Sequence, residues 1–421
     1  MKKKAYKGVE INKINIEKIN ASVAGKKIVV GIDAAKTKYF ASLMDEKRDV
    51  LQTIKWEHPL ESAGFVSLIT NLSAKSFEVA LEPTGTYGDP IRNAFILEGI
   101  DVYRVSAKRT HDAAEVYDGV PSWHDAKSAA IVAKLHWDGA SELWPLRSKN
   151  ERDLSAAVNT MDCLHKNLQQ ELNRLEALIS RHWPEATNHL GLDSVSLLEL
   201  FSKIGGPKSI SAVSNKARRL MKSVGGSFLA DKKIENIIES SSNTVGLYMT
   251  QVEEEEFKYL SNRIRDVQKQ LKKSKRKVEN ITKSESSAHD MGKVVGMATS
   301  AVLISGAGSP CNYKSSSQWI KSLGLNLKEK SSGKHQGKLT ITKRGSGRAR
   351  RWLYFASLRL INQDEIVKAW YSKKVTRDSG VKMKAIMAVT RKLAAALWHV
   401  AQGKRFDTRL MFDVRCLSFA T

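Results

Sequence analysis

The fold of the first third of the chain is decided by the stretch KIVVGID, residues 27–33. Its unbroken apolar run predicts a central strand buried on both faces, with Asp33 directly after it. The run FEVAL, residues 77–81, ends at Glu82 in the same way, and Asp125 opens a helix-like stretch. Carboxylates at two strand ends and one helix start can converge on one point. That arrangement suits phosphoryl chemistry assisted by a divalent metal ion.

Strands and helices alternate from Lys26 to about Ala140 in the order β-β-β-α-β-α-β-α. The strand candidates are Lys27–Ile32, Tyr39–Met44, Val50–Trp56, Phe77–Leu81 and Asp101–Val105, and the helix candidates are Ser62–Leu72, Pro90–Glu98 and Asp125–His136. This order predicts a mixed sheet with helices on its faces, over a domain of residues 26–145 preceded by a basic, polar arm at 1–25. It also fits a ribonuclease-H-like architecture, although a fold alone fixes no function.

Two long amphipathic helices are predicted in the next domain, residues 146–288. Apolar residues recur at spacings of three and four over Asn150–His182 and roughly over Glu253–Ile281, and Pro184 ends the first helix. A smaller helical section, about 190–250, lies between them. The pair favours an antiparallel coiled-coil stalk or dimerisation arm, and an ordinary helical bundle is the alternative.

The last domain, residues 289–421, is predicted to be mainly α-helical. VVGMA at 294–298 resembles the glycine turn of a helix-hairpin-helix, which presents backbone N–H groups to a phosphate. A loop rich in glycine and lysine follows from Lys328 to Arg351, and then two helices, Arg351–Ile361 and Lys382–Val400.

Charge indicates the class of partner. Lys and Arg number 69 against 44 Asp and Glu, which gives a net charge of +25. Such a basic chain most simply binds nucleic acid, with an anionic membrane surface as the competing partner. No apolar stretch is long enough to span a bilayer, and no apolar region follows the basic start to make a secretory signal. The three scattered cysteines indicate a reducing cytoplasm.

The loop sequence SSGK, residues 331–334, is a candidate for nucleophilic chemistry. A serine hydroxyl in a basic, glycine-flexible loop can meet a DNA phosphate, and it attacks only when a base or metal activates it. The alternative is that these residues are ordinary loop composition. Clustered basic residues beside glycines are suited to phosphate contacts, and the candidates are Lys334, Lys343, Arg344, Arg348, Arg350 and Arg351.

Together these pieces resemble a known family, the DEDD transposases of the bacterial insertion-sequence 110 group, which includes the Piv-type invertases. The resemblance covers about residues 27–403. It rests on GIDAAK, ALEPTGTYGDPIRNAF, VPSWHDAKSAAIVAKLHWDG and LGLNLKEKSSGK, followed by GKLTITKRGSGRARRWLY. It implies a RuvC-like, ribonuclease-H-type domain that holds Mg²⁺ through Asp33, Glu82 and Asp125. It also implies that Ser332 is the catalytic serine.

The resemblance further implies the partners. Family members join the acidic site of one subunit to the serine of another and form a transient phosphoserine linkage with DNA. A structured noncoding RNA, the bridge RNA, pairs with donor and target DNA. The expected assembly is a homodimer that associates into a tetramer, located in the bacterial cytoplasm with the nucleoid and away from membranes.

One position departs from the family pattern. The family has Asp-x-x-Asp around the third acid, whereas here Asp125 takes the first place and Ser128 the second. In the alternative register Asp125 is the second acid and Ser122 replaces the first. A hydroxyl is a weaker magnesium ligand than a carboxylate, so one metal ion is expected to bind weakly. Three explanations of Ser128 are open: a natural variant, a damaged copy or an introduced substitution.

The leading hypothesis is an RNA-guided DNA recombinase of an insertion sequence. In that hypothesis Ser332 is the nucleophile, and Asp33, Glu82 and Asp125 hold the metal. The alternatives are a metal-dependent nuclease or Holliday-junction resolvase that uses water, and a catalytically impaired protein that binds RNA and DNA.

Overall fold

A computed structural model describes residues 6–83, 85–329, 331–332, 337 and 339–412. The chain divides into two compact units, residues 1–147 and 148–421. The helical domain and the C-terminal domain expected from the sequence both fall in the second unit, so their boundary at 288/289 stays a prediction.

The first unit is mixed α/β. Its strands are β1 (Val9–Glu10), β2 (Lys27–Ala34), β3 (Lys38–Asp45), β4 (Val50–Glu57), β5 (Ser76–Leu81), β6 (Val102–Val105) and β7 (Ser141–Leu143). Its helices are α1 (Ile16–Val23), α2 (Ser62–Thr70), α3 (Asp89–Leu97), α4 (Ala107–Asp112) and α5 (Asp125–Trp137). The five predicted strands and three predicted helices are confirmed, and their ends shift by two residues at most.

The strands of the first unit form one sheet in the order β1-β4-β3-β2-β5-β6-β7 across the described residues. β2 lies antiparallel to β3 and parallel to β5, and β5 lies parallel to β6. β2 has a hydrogen-bonded neighbour on each side and helices packed on both of its faces, and its residues 28–32 are all buried. The unbroken apolar run in the sequence is explained by this central place.

The two faces of the sheet carry different helices. Ile28, Val30 and Ile32 pack on one face with residues of α1, α2 and α3. Val29 faces the other way and packs with Ile131 and other residues of α5. Since side chains alternate along a strand, Gly31 and Asp33 lie on the α5 face.

The predicted N-terminal arm is wrong for residues 6–25. β1 pairs parallel with β4 at the sheet edge, and α1 buries Ile19 and Val23 in the core of the first unit. The apolar residues Ile16, Ile19 and Val23 recur at spacings of three and four, which is a helical pattern. The surrounding lysines and polar residues obscured it.

The second unit is mostly helical. Its helices are α6 (Lys149–His182), α7 (Val195–Lys203), α8 (Pro207–Ala212), α9 (Ser214–Gly225), α10 (Asp231–Ser242), α11 (Gln251–Lys283), α12 (Ser286–Val295), α13 (Met297–Ala307), α14 (Ser316–Ser322), α15 (Gly347–Gln363), α16 (Glu365–Arg377), α17 (Lys382–Ala401) and α18 (Thr408–Met411). Two short strands, β8 (Leu327–Lys328) and β9 (Thr340–Ile341), pair antiparallel.

The two long helices, α6 and α11, lie antiparallel along each other. The start of α6, at Leu154, shares a core with Val278 near the end of α11, and Ile179 near the end of α6 shares one with Phe257 near the start of α11. These cores also include residues of α7 to α10 and of α13. The apolar seam is therefore covered within the chain, as in a helical bundle. The dimerisation arm stays a prediction.

The turn predicted around Gly296 has the expected local geometry. α12 ends at Val295, Gly296 has φ +88°, and α13 begins at Met297. A positive φ there suits glycine, which has no Cβ to clash. Among the helices that the structure describes, none is long and apolar enough to cross a membrane.

Candidate active site

Two of the predicted acids lie at the ends of neighbouring parallel strands. Asp33 is the next-to-last residue of β2, and Glu82 directly follows β5. The last paired residues are Ile32 and Leu81, so Asp33 and Glu82 occupy the next position on each strand. Both lie on the face that carries α5, because Ala80, two residues before Glu82, packs with that helix.

Gly31 lets helix α5 lie directly on strand β2. A Cβ placed on Gly31 would be 2.3 Å from the Ala129 carbonyl oxygen and 2.5 Å from the Ala133 nitrogen. Any larger residue would meet the backbone of the helix, which has no flexible end to move aside. This close contact brings the first turn of α5 over Asp33, two residues further along the strand.

The first turn of α5 supplies Asp125 and Ser128. The pKa of Asp33 is raised to about 6, mainly by burial and in addition by the negative charges of Asp125 and Glu82. The Ser128 hydroxyl donates a hydrogen bond to Asp33, which lowers that pKa in part. Ser128 is only 2% exposed. The four predicted residues therefore share one site, at the carboxyl end of β2.

Glu82 is held by a residue that the sequence reasoning missed. Burial raises the pKa of Glu82, and a hydrogen bond from the Thr110 side chain lowers it in part. Thr110 lies in α4 and is fully buried. α4 is therefore part of the site, although the sequence pattern predicted no helix there.

Lys127 was also missed, and it organises the segment before α5. Its side chain is 1% exposed, and its Nζ donates to Asp118 Oδ1 at 2.9 Å and to the Val120 carbonyl oxygen at 2.7 Å. The signal was a lone lysine within AKSAAIVA, residues 126–133, where every other residue is small or apolar. Lys127 thus pairs with the preceding loop.

The predicted metal site contains side chains of the types that bind Mg²⁺, but they are not arranged closely enough to coordinate one ion. In the described ranges, no three His, Cys, Asp or Glu side chains converge closely enough to hold a metal ion. The acids nevertheless act on each other through charge, and carboxylate and hydroxyl oxygens are the ligand types that Mg²⁺ takes. The donor chemistry fits magnesium.

The predicted serine lies in the second unit and is exposed. Ser332 follows Ser331, whose hydroxyl donates to the Glu329 carboxylate and accepts from the Gly337 N–H at 2.9 Å. Lys334 lies outside the described residues. The hydroxyl of Ser331 is thus engaged locally, whereas Ser332 presents its side chain to solvent.

The predicted basic residues separate into two kinds. Lys343, Arg344 and Arg351 are exposed, and the Arg351 guanidinium lies 5.9 Å from the centre of the Phe355 ring. Arg348 instead donates to Asn159 Oδ1 at 2.6 Å and to Ser305 Oγ at 3.4 Å.

Arg350 is also engaged within the chain. It donates to the Leu323 and Gly345 carbonyl oxygens, each at 3.0 Å, and burial lowers its pKa. Exposed guanidinium groups are the ones available to a phosphate.

Two parts of the chain match models of known protein families. Residues 30–184 match a model described as a transposase, of the DEDD type of IS110, and residues 292–372 match a model described as a transposase of the IS116/IS110/IS902 family. The first match contains the four residues of the acidic site, and the second contains Ser332 with the basic residues. No curated protein sequence matches the chain significantly.

Proposed function

The chain belongs to the insertion-sequence 110 family of transposases, enzymes that act on DNA, and we propose that it performs an RNA-guided DNA recombination through a phosphoserine. The observation that carries the proposal is the shared acidic site. Asp33 accepts a hydrogen bond from Ser128, and its pKa is raised by burial and by the negative charges of Asp125 and Glu82. Carboxylates crowded in this way are stabilised by a cation.

The sheet supports a RuvC-like interpretation of the first unit. Three antiparallel strands, β4-β3-β2, continue into the parallel pair β5-β6, with the acids where parallel strands end. Asp33, Glu82 and Asp125 would hold Mg²⁺, with Ser128 as a weak fourth ligand. When bound, the ion would stabilise negative charge on the reacting phosphate.

Ser332 is the serine best suited to attack DNA. Ser128 is enclosed and bonded to Asp33, and the Ser331 hydroxyl is bonded to Glu329, whereas Ser332 is exposed. In the proposed step the Ser332 oxygen forms a bond to phosphorus, and the bond from phosphorus to a deoxyribose oxygen breaks. The serine proton leaves to a base, and the departing oxygen takes up a proton.

The basic residues and the assembly complete the proposal. Lys343, Arg344 and Arg351 would contact phosphates, with Lys334 expected beside them and Arg348 and Arg350 supporting the loop. The partners would be donor DNA, target DNA and a bridge RNA. A dimer that associates into a tetramer would bring the acids of one subunit to the serine of another.

The first test is trapping of the covalent intermediate. Protein, guide RNA transcribed from DNA flanking the gene, and paired DNA sites are incubated with Mg²⁺, and protein–DNA adducts are separated on denaturing gels. We expect an adduct that Ser332→Ala abolishes and Ser331→Ala retains. An undiminished adduct in Ser332→Ala contradicts the assignment. Cleavage without any adduct favours a nuclease or junction resolvase that uses water.

The second test concerns the missing carboxylate. The hydrogen bond from Ser128 to Asp33 supports the register in which Ser128 stands where the family has its second Asp. Ser128→Asp is therefore expected to raise recombination at low Mg²⁺. Ser122→Asp, at an exposed position, serves as the control and is expected to have no effect. A gain in Ser122→Asp alone would favour the other register. A wild-type protein without activity that Ser128→Asp activates would indicate a catalytically impaired copy.

A further inference from the structure

Trp123 is unusual among the tryptophans of this chain. All nine lie in described ranges, and Trp123, at 47%, is the most exposed of them. A tryptophan ring carries a large apolar area, so its exposure leaves a favourable burial unused. Tryptophan is enriched at binding interfaces, because its ring combines a large apolar area with a polar N–H group.

Trp123 lies on the segment that leads into the acidic site. Trp123 is two residues before Asp125, so their Cα atoms are within about 7 Å. The His111 ring centre is 6.5 Å from that of Trp123. His111 follows Thr110, the residue that bonds Glu82. The two rings thus belong to the segments that carry or support two of the acids.

The backbone that carries Trp123 is held on both sides. Before the ring, the buried Lys127 ammonium bonds Asp118 and the Val120 carbonyl oxygen. After the ring, His124 Nδ1 accepts from the Lys127 N–H at 3.3 Å and caps α5. Burying an ammonium costs free energy unless it is well paired, so this loop is built as a fixed support. A fixed aromatic ring binds with little loss of conformational entropy.

We propose that Trp123, with His111 beside it, is a stacking site for an unpaired nucleobase next to the phosphodiester that the acidic site handles. The proposal rests on the function proposed above and deepens it. Every base has a π face, so such a site tolerates sequence, and bases inside a duplex already have both faces stacked. The site therefore selects single-stranded or locally opened DNA or RNA at the acids.

The surroundings favour a nucleobase over a protein partner. Val116 and Val120 are exposed on the same loop, and exposed apolar residues would also suit a contact with another protein. However, Lys108 and Asp112, an exposed ion pair at 2.8 Å, lie on α4 with His111. Cores of protein interfaces are depleted in charged residues, whereas single-strand binding sites place aromatic rings among charges. The net charge of +25 points to the same class of ligand.

Photocrosslinking tests the stacking directly. The full chain is mixed with a single-stranded DNA oligonucleotide that carries one iodouracil, in a buffer that contains Ca²⁺ in place of Mg²⁺. The mixture is irradiated, and the crosslinked peptide is identified by mass spectrometry. A local readout is needed because a chain this basic binds DNA at many phosphates, which hides one stacking contact in the overall affinity. We expect the crosslink at Trp123.

The variants separate an aromatic role from an apolar one. Trp123→Leu keeps an apolar side chain without a π face, and we expect the crosslink at this site to fall by about tenfold, as loss of one stacked base implies. Trp123→Phe should retain most of it. Phe228→Leu is the matched control, because Phe228 is a 99% exposed ring in the other unit, and it should leave the crosslink unchanged.

Each outcome decides a different question. A crosslink that maps elsewhere, or is equal in Trp123→Leu and wild type, overturns the stacking site and leaves the proposed function standing. A change in oligomeric state in Trp123→Leu with an unchanged crosslink assigns the ring to a protein contact and also overturns it. Failure of the wild-type protein to bind any oligonucleotide would contradict the proposed function itself. Circular dichroism establishes that each variant is folded.

Discussion

Two serines of this chain lie in opposite settings. Ser128 is buried in the first turn of α5 and donates a hydrogen bond to Asp33. Ser332 is exposed in a loop of the second unit. The first is held by strand ends, a helix and a close backbone contact, whereas the second follows a serine with local bonds to Glu329 and Gly337.

The comparison shows that the two parts of the proposed site, the acids with Ser128 and the loop with Ser332, are formed in different ways. The acidic half is produced by the packing of the first unit, because the parallel strands end together and α5 lies on them. Its integrity is therefore a question of folding stability, which mutations can measure. Ser332, which we propose as the nucleophile, is exposed, and it would become part of a site when nucleic acid or another subunit reaches it.

The largest expected effect is at Gly31. Gly31→Ala places a Cβ 2.3 Å from the Ala129 carbonyl oxygen, which forces α5 away from β2. We expect the free energy of unfolding of the first unit to fall by about 3 kcal/mol, the upper end for overpacking, since the contact is with backbone. Hydrogen exchange of residues 1–147 measures it.

Gly64→Ala is the matched control for that change. Gly64 lies within α2 of the same unit, and a Cβ there meets nothing within 4 Å. Replacing a helical glycine by alanine should stabilise by about 0.5–1 kcal/mol. If Gly31→Ala were tolerated as well as Gly64→Ala, the acidic site would not depend on the close contact between α5 and β2.

Lys127 is expected to give the next effect. Lys127→Met removes a buried ammonium and leaves Asp118 and the Val120 carbonyl oxygen without it. Because Asp118 is partly exposed, we expect a loss of about 2 kcal/mol, below the full cost of breaking a buried pair. Thermal unfolding measures the loss.

An exposed ion pair provides the comparison for Lys127. Lys13→Met removes one of the two lysines that pair with Glu10, at 2.5 Å, and the side chains of Lys13 and Glu10 are 71% and 44% exposed. The change in stability should be negligible, because solvent screens the pair. Equal effects at Lys127 and Lys13 would remove the argument that the loop before Asp125 is held in place.

Asp33 gives an effect that depends on pH. Its pKa is raised from 3.8 to about 6, so between these values the folded state binds more protons than the unfolded state, and stability falls as pH rises. Asp33→Asn removes that cost. Without divalent metal, we expect it to stabilise the first unit by about 1.5 kcal/mol at pH 8, a gain that shrinks as pH falls through 6.

Unfolding by urea at two pH values measures this gain. The exposed Asp101→Asn is the control and should change stability little at either pH. Asp33→Asn should also abolish recombination while it stabilises the fold. If Asp33→Asn destabilised the first unit at pH 8, the ionised Asp33 carboxylate would not lower the stability of the folded state.

Much of the first unit was predictable because its elements have strong periodic signals. The runs at 27–32 and 77–81 are apolar enough to indicate buried strands, and the acids that follow them meet because parallel strands end at one edge. α1 was missed because its apolar residues lie in a lysine-rich segment. Register and helix depth, which bring Ser128 onto Asp33, depend on Gly31 and cannot be derived from spacing.

The second unit was less predictable in its details. The long helices were predicted by their period, but the partners that cover their apolar seam are distant in sequence. α16 was absent from the prediction. Arginine composition alone also could not separate the exposed Arg351 from Arg350, whose partners come from the loops at Leu323 and Gly345.

That pair of arginines gives the smallest expected effect, and it extends the comparison into the second unit. Arg350→Ala removes two hydrogen bonds to carbonyl oxygens, so we expect a loss of about 1 kcal/mol of stability. Arg351→Ala should change stability by less than about 0.5 kcal/mol. It should instead weaken DNA binding and reduce the slope of log K against log salt by about one, as loss of a phosphate contact does. Fluorescence anisotropy over a salt series measures the slope. If Arg350→Ala changed the slope and Arg351→Ala did not, then enclosure in the fold would not decide which arginines reach the phosphates.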